Sequence, residues 1–168
     1  SSDLGPDCVI GAHGASNRNP SDDKRVIHLT RTFENEADCA AVVDEFADKA
    51  GGIDALVVLS GGIHFTGHWK DMPAEDWEKD IAVNLNQPFY LARAAMRRMK
   101  DKGGRIVLTG TESALHGGSS QSFPYAVAQH ATESMAPRLS RRGPGPNLLV
   151  HRGPTALIPL PCPPPRPP

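Results

Sequence analysis

The sequence contains no run of eighteen apolar residues, so no helix that spans a membrane is expected. Its first residues, Ser1, Ser2 and Asp3, lack the basic and apolar regions of a secretory leader, and the expected location is cytoplasmic. An excess of one charge is also missing. The 18 basic side chains face 19 acidic ones, the net charge is −1, and the basic residues are scattered rather than gathered into a stripe. That balance leaves no electrostatic footprint for nucleic acid. Cysteine is scarce: Cys8, Cys39 and Cys162 are odd in number, far apart and without a CxxC pair. Neither a disulfide framework nor a zinc site is indicated, and the three are read as free thiols.

What is present is 168 residues, 39% of them hydrophobic and 22% charged, the composition of one soluble domain. The prolines are unevenly placed, with eight of the 16 between Pro154 and Pro168. A domain over 1–155 and a proline-rich, extended tail over 156–168 are therefore expected. No internal repeat is visible.

Short β-branched runs alternate with helical patterns, which points to an α/β fold with a parallel sheet and helices on both faces. The expected strands are Asp7 to Gly11, Arg25 to Leu29, Ile53 to Leu59, Arg105 to Thr109 and Asn147 to His151. Gly11 to Asp23 is read as a polar loop. From Asn35 to Ala50 the apolar residues Ala37, Ala40, Ala41, Val43, Phe46 and Ala47 recur at helical spacing, and Gly51-Gly52 closes the helix. A long helix starts at Pro73, carries Glu75 and Asp76 at its positive end, and runs to Met99 with Arg97, Arg98 and Lys100 at its negative end. Pro88 lies inside it. Having no N–H, it deprives the carbonyl of Asn84 of its helical partner, and a bend is expected there. A further helix is expected from Pro124 to about Met135, ending near Pro137.

His64 and His68 have the spacing of a metal pair on a helix, but Gly67 and the loop context oppose a helix, and no carboxylate or cysteine completes the set. No metal is expected. Trp69, Trp77, Phe89 and Tyr90 are read as core or interface residues. The charged run from Arg97 to Lys102 is read first as a solvated helix end, and second as a surface that receives an acidic carrier protein.

The order of elements and several motifs resemble the short-chain dehydrogenase/reductase family, particularly its 3-oxoacyl-carrier-protein reductase branch. GGIDALVVLSGG (Gly51 to Gly62) resembles the family's strand and Asn-Asn-Ala-Gly turn. EDWEKDIAVNLNQPFYLARAAMRRM (Glu75 to Met99) resembles its long interface helix. GGRIVLTGT (Gly103 to Thr111) resembles the strand ending at the family's serine, and YAVAQ (Tyr125 to Gln129) resembles its Tyr-x-x-x-Lys motif. The resemblance implies a Rossmann-like fold, an NAD(P) cofactor, and reduction of a carbonyl by hydride with a proton from tyrosine. It places the catalytic positions at Tyr125, Thr111 or Ser113, and Asn84, whose carbonyl would hold a water, and the cofactor positions at Ser60, Gly61 and Gln129.

The sequence departs from that pattern in three places. The lysine position is Gln129, whose neutral amide cannot lower the pKa of the tyrosine. An unassisted phenol, with a pKa of about 10, is ionised in roughly one molecule in a thousand at pH 7. LGPDCVIGAHG (Leu4 to Gly14) resembles the family's second strand, so the first strand with its glycine-rich turn and helix is expected to be missing, and cofactor binding by this chain alone is not expected. At the other end, Arg152 to Thr155 resembles the remains of a Pro-Gly turn, and the substrate-binding segment is replaced by the proline tail.

Two functions follow from these departures. The first is a non-catalytic or weakly active structural subunit that pairs with a full-length reductase homologue through helices 75–99 and 124–135, as in heteromeric reductases of antibiotic biosynthesis. An open sheet edge would then need cover. The second is an NAD(P)-dependent 3-oxoacyl-carrier-protein reductase active in its own right, with itself as partner through the same helices and an acyl carrier protein as substrate carrier. A third reading has both ends arise from a disrupted reading frame.

Overall fold

A computed structural model describes residues 7–16, 21–111, 120–142 and 148–153. The proline tail expected over 156–168, and Ser113, lie outside the described residues. Among the described residues there are five strands: β1 (Ile10–Gly14), β2 (Val26–Thr30), β3 (Ala55–Val58), β4 (Gly104–Thr109) and β5 (Leu148–Gly153). The same residues form four α-helices: α1 (Glu36–Ala50), α2 (Ala74–Ile81), α3 (Gln87–Met99) and α4 (Phe123–Arg142). A short 3-10 turn, Trp69–Asp71, precedes α2. All strand pairings are parallel, as the alternating pattern required.

The strands form two sheets, β1-β2 and β3-β4-β5. Among the described residues no strand pairs with the outer edge of β1 or with that of β3. The loops at the carboxyl ends of both groups reach one helical segment. Gln87 Nε2 donates to the carbonyl of Phe33 after β2 (3.0 Å), and Asn84 Oδ1 accepts from the amide of Gly62 after β3 (2.9 Å).

Local chemistry explains the helix ends. The side chain of Asn35 accepts from the amides of Ala37 and Asp38, and Asp38 accepts in return from the amide of Asn35, so the first turn of α1 is closed by a reciprocal cap. Gly51, at φ 72°, takes the left-handed conformation that ends α1. α1 lies on α3 through small residues: Ala92 and Ala95 are fully buried, which lets Cys39, Val43 and Ala47 approach closely. Ion pairs from Arg93 to Glu36 and from Arg98 to Asp44 and Asp48 span the rim of that contact.

The core gathers these helix residues against the inward positions of the larger sheet, Val58, Ile106 and Leu108, with Met135 and Leu139 of α4 packed beside them. Alternate positions point the other way. Val57 is 44% exposed and Leu59 75%, so among the described residues one sheet face is packed and its opposite face is open.

Several boundaries differ from those expected. The first strand is Ile10–Gly14 instead of Asp7 to Gly11, because register with β2 decides it: Ile10 pairs with Val26 and Gly14 with Thr30. Pro73 caps α2 from outside. The segment from Ala74 to Met99 is helical throughout, but one wide π turn, Ala82–Asn86, separates α2 from α3 just before Pro88. α4 does not stop near Pro137. It continues to Arg142, since Ala136 is buried and Met135 and Leu139 hold both sides of the proline against the core. Cys39 is a free, buried thiol, whereas Cys8 is disulfide-bonded, which corrects its expected free state.

Candidate functional site

The carboxyl ends of β3 and β4 and the first turns of α4 form one wall, in the place where parallel sheets commonly receive ligands. Thr109 Oγ1 donates to the carbonyl of Val58 (3.0 Å) and ties the two strand ends together. Beyond β3 the chain runs through Ser60, Gly61 and Gly62, and this loop is held from below by Asn84. Its Oδ1 accepts from the amide of Gly62, while its Nδ2 donates to the carbonyls of Gly62 (2.7 Å) and Asp80 (2.9 Å). Asn84 is fully buried, and all of these bonds are needed to offset its desolvation.

A side chain at Gly61 would crowd Asn84. A Cβ there would lie 3.0 Å from Asn84 Oδ1, with Gln129 Nε2 at 3.8 Å. Asn84, Gly61 and Gln129 are therefore brought together. Gln129 is 4% exposed on α4, and Tyr125, half-buried, stands one turn before it on the same helix face. Thr111 follows the end of β4 and is half-buried. Among the described residues no hydrogen bond joins Tyr125 to Thr111, and Ser60 is exposed at the start of its loop.

The carbonyl of Asn84, deprived of a helical donor by Pro88, accepts from Thr132 Oγ1 (3.2 Å), whose single proton is shared with the carbonyl of Ala128 (3.0 Å). One of that carbonyl's two lone pairs is thus occupied by α4 itself. Sequence reading passed over Thr132 and Asp80. Asp80 is fully buried, and its carboxylate accepts from the amides of His64 (2.9 Å) and Phe65 (3.4 Å) and from His64 Nδ1 (2.9 Å). The signal was available: Asp80, Asn84 and Pro88 recur every fourth residue, so a helix places all three on its buried face.

Aromatic rings brace the start of α4. Phe123 stands 6.4 Å from Trp69 and 6.1 Å from Trp77, ring to ring. On α3, Phe89 and Tyr90 carry the guanidinium of Arg93 over their faces, at 4.9 and 5.6 Å. A groove of about 530 Å³ between α3 and α4 is lined by Phe89, Arg93, Met96, Arg97, Lys100 and Leu139. Among the described residues no three His, Cys, Asp or Glu side chains gather into a metal-binding group, and no helix is long and apolar enough to cross a membrane.

The profile of a family described as Enoyl-(Acyl carrier protein) reductase matches residues 21–143. The chain belongs to the short-chain dehydrogenase/reductase family. It is 34% identical over 106 residues to a D-beta-hydroxybutyrate dehydrogenase of Rhizobium meliloti (strain 1021), covering 62% of this chain and 40% of that protein. It is 33% identical over 122 residues to the 3-oxoacyl-[acyl-carrier-protein] reductase FabG of Vibrio cholerae, covering 70% of this chain and 48% of that one. The chain spans about half, or less, of the length of these curated relatives. Among solved structures, a short-chain dehydrogenase/reductase from Serratia marcescens superposes with a TM-score of 0.75 at 21% identity, covering 86% of this chain and 65% of that chain. An NADH-dependent reductase complexed with NAD superposes at 0.71 and 15% identity, covering 79% and 61%. These likenesses establish the Rossmann-like fold.

Short-chain dehydrogenase/reductases use NAD(P), and a solved neighbour is complexed with NAD. A pyrophosphate needs free amides at a helix N-terminus. The start of α1 spends its amides on Asn35 and places Glu36 and Asp38 there, and α2 begins with Glu75 and Asp76. Gln129 brings a neutral amide to the first turns of α4.

Proposed function

We propose that this chain is a non-catalytic or weakly active structural subunit of a heteromeric short-chain reductase acting on 3-oxo or 3-hydroxyacyl thioesters, in secondary-metabolite biosynthesis. The observation that carries this is Gln129: a buried neutral amide one turn after Tyr125, where the family's chemistry relies on a cation. The acidic starts of α1 and α2 agree with it, since neither welcomes a phosphate. The partner would be a full-length homologue, docked through helices 75–99 and 124–135. The groove of Phe89, Met96 and Leu139, rimmed by Arg93, Arg97 and Lys100, supports that surface. The thioester class is supported by the likeness to a 3-oxoacyl-[acyl-carrier-protein] reductase.

A second reading is an NAD(P)-dependent 3-oxoacyl-carrier-protein reductase active in its own right, with an acyl carrier protein as substrate carrier. It is favoured by Tyr125, Thr111 and Asn84 standing at one end of the sheet. One experiment separates the two: purify the complex from its native host and weigh it intact by native mass spectrometry, counting cofactor per chain. A heteromer with cofactor only on the full-length reductase supports the first. A homo-oligomer carrying one nicotinamide cofactor per chain overturns it in favour of the second.

A further inference from the structure

A fully buried carboxylate is costly unless its hydrogen bonds are complete, and the helix position of Asp80 would accept an aliphatic residue without that cost. Two backbone amides, those of His64 and Phe65, would be enough to pin the loop. The third bond goes to the ring of His64, and it does something the amides do not: it fixes the orientation of the imidazole. With Nδ1 engaged by Asp80 Oδ1 at 2.9 Å, Nε2 is the nitrogen left for another partner, and the His64 side chain keeps 42% of its surface exposed. A carboxylate that orients an imidazole while its far nitrogen stays available is an arrangement suited to binding or moving a proton.

Its place in the fold is equally specific. His64 belongs to the loop at the carboxyl end of β3, and its Cε1 lies 3.8 Å from where a Cβ on Gly62 would be. The neighbouring Gly61 lies beside Gln129 Nε2, and Tyr125 is one helical turn away from Gln129. Asn84 joins the two sides, holding Gly62 of the loop while its own carbonyl accepts from Thr132 of α4.

We propose that His64, oriented by Asp80, is a ligand-binding residue of this wall, donating from Nε2 to a carbonyl or enolate oxygen of a 3-oxoacyl group. This rests on the thioester class proposed above but requires neither turnover nor a partner subunit. It supplies on the loop side an imidazole N–H donor, opposite the side-chain amide of Gln129 on α4.

The test uses the full chain labelled with nitrogen-15, with the imidazole signals of His64 assigned by their loss in His64→Gln. The probe is the N-acetylcysteamine thioester of 3-oxobutanoate. The expected result is a saturable shift of His64 Nε2, together with the side-chain amide of Gln129. Affinity is expected to fall about tenfold or more in His64→Gln and in Asp80→Asn, the loss of one hydrogen bond involving a charged group. His64→Gln keeps the backbone bonds to Asp80 and so serves if Asp80→Asn does not fold. A shift of Gln129 with His64 unmoved overturns the assignment and leaves the thioester class standing, since His64 is then only a latch. No shift at either residue overturns both. Unchanged affinity in His64→Gln also overturns the assignment.

Discussion

Thr132 Oγ1 donates across 3.2 Å to the backbone carbonyl of Asn84, the carbonyl that Pro88 deprives of its usual helical donor. The defect in one helix is thereby made good by a side chain of another. This bond joins α4, which carries Tyr125 and Gln129, to the π turn that carries Asn84, and so sets the spacing of the candidate site.

Replacing Thr132 by Val keeps the shape and removes the hydroxyl, leaving a buried carbonyl without its donor. A loss of about 1–2 kcal/mol in unfolding free energy is expected from urea denaturation, with Thr132→Ser within about 0.5 kcal/mol of the wild type. Equal losses in both variants would mean that packing of the methyl group, and not the bond, holds the helices together.

Asn84→Ala removes three hydrogen bonds and strands both the amide and the carbonyl of Gly62. The expected cost is about 2–4 kcal/mol, again by denaturation. A cost below about 1 kcal/mol would show that the Gly61-Gly62 loop does not depend on this clamp.

The side-chain and backbone hydrogen bonds from Arg25 lower the Asp23 carboxyl to about 2, from an ordinary 3.8. A depressed carboxylate contributes stability that is present above its unfolded pKa and lost as pH falls through the folded one. Asp23 therefore contributes to the fall in stability between about pH 4 and pH 2. Asp23→Asn should flatten the thermal-midpoint profile across that window and leave the slope above pH 5 unchanged. A profile parallel to the wild type would sink this assignment.

Burial pushes the Cys39 thiol up to about 11, with the nearby charge of Asp38 acting in the same direction. At pH 8 about one such thiol in a thousand is ionised, and the sulfur is shielded by the contact between α1 and α3. Cys39 should resist a disulfide reagent in the native protein and react promptly in denaturant. Fast labelling under native conditions would show that α1 detaches readily from α3.

Much of this was legible in the residues themselves. Asn35 and Gly51 announce the ends of α1, because a side-chain cap and a left-handed residue act locally. Pro88 announces its own defect for the same reason. The family resemblance singled out Asn84, Gly61 and Gln129, and the structure sets Gly61 beside the other two. What escaped depends on distant partners. The strand Ile10–Gly14 is poor in β-branched residues and exists because β2 lies beside it. Helix α4 passes through Pro137 because the core holds both flanks. Asp80 and Thr132 look like ordinary polar residues until the loop and the π turn they serve are in place, and His64, judged beside His68, has its partner on α2 instead.

The division of the strands into two sheets also sets how the protein comes apart. β1 and β2 are fastened to the rest through Phe46 of α1, which lies against Gly11, and through Gln87, which holds Phe33. β4 lies inside the main core, with Ile106 and Leu108 fully enclosed. Cooperative opening follows such lines of attachment. Backbone amides of Ile10–Gly14 and Val26–Thr30 should exchange with solvent as one block through a local opening. Those of Ile106 and Leu108 wait for the whole molecule to unfold.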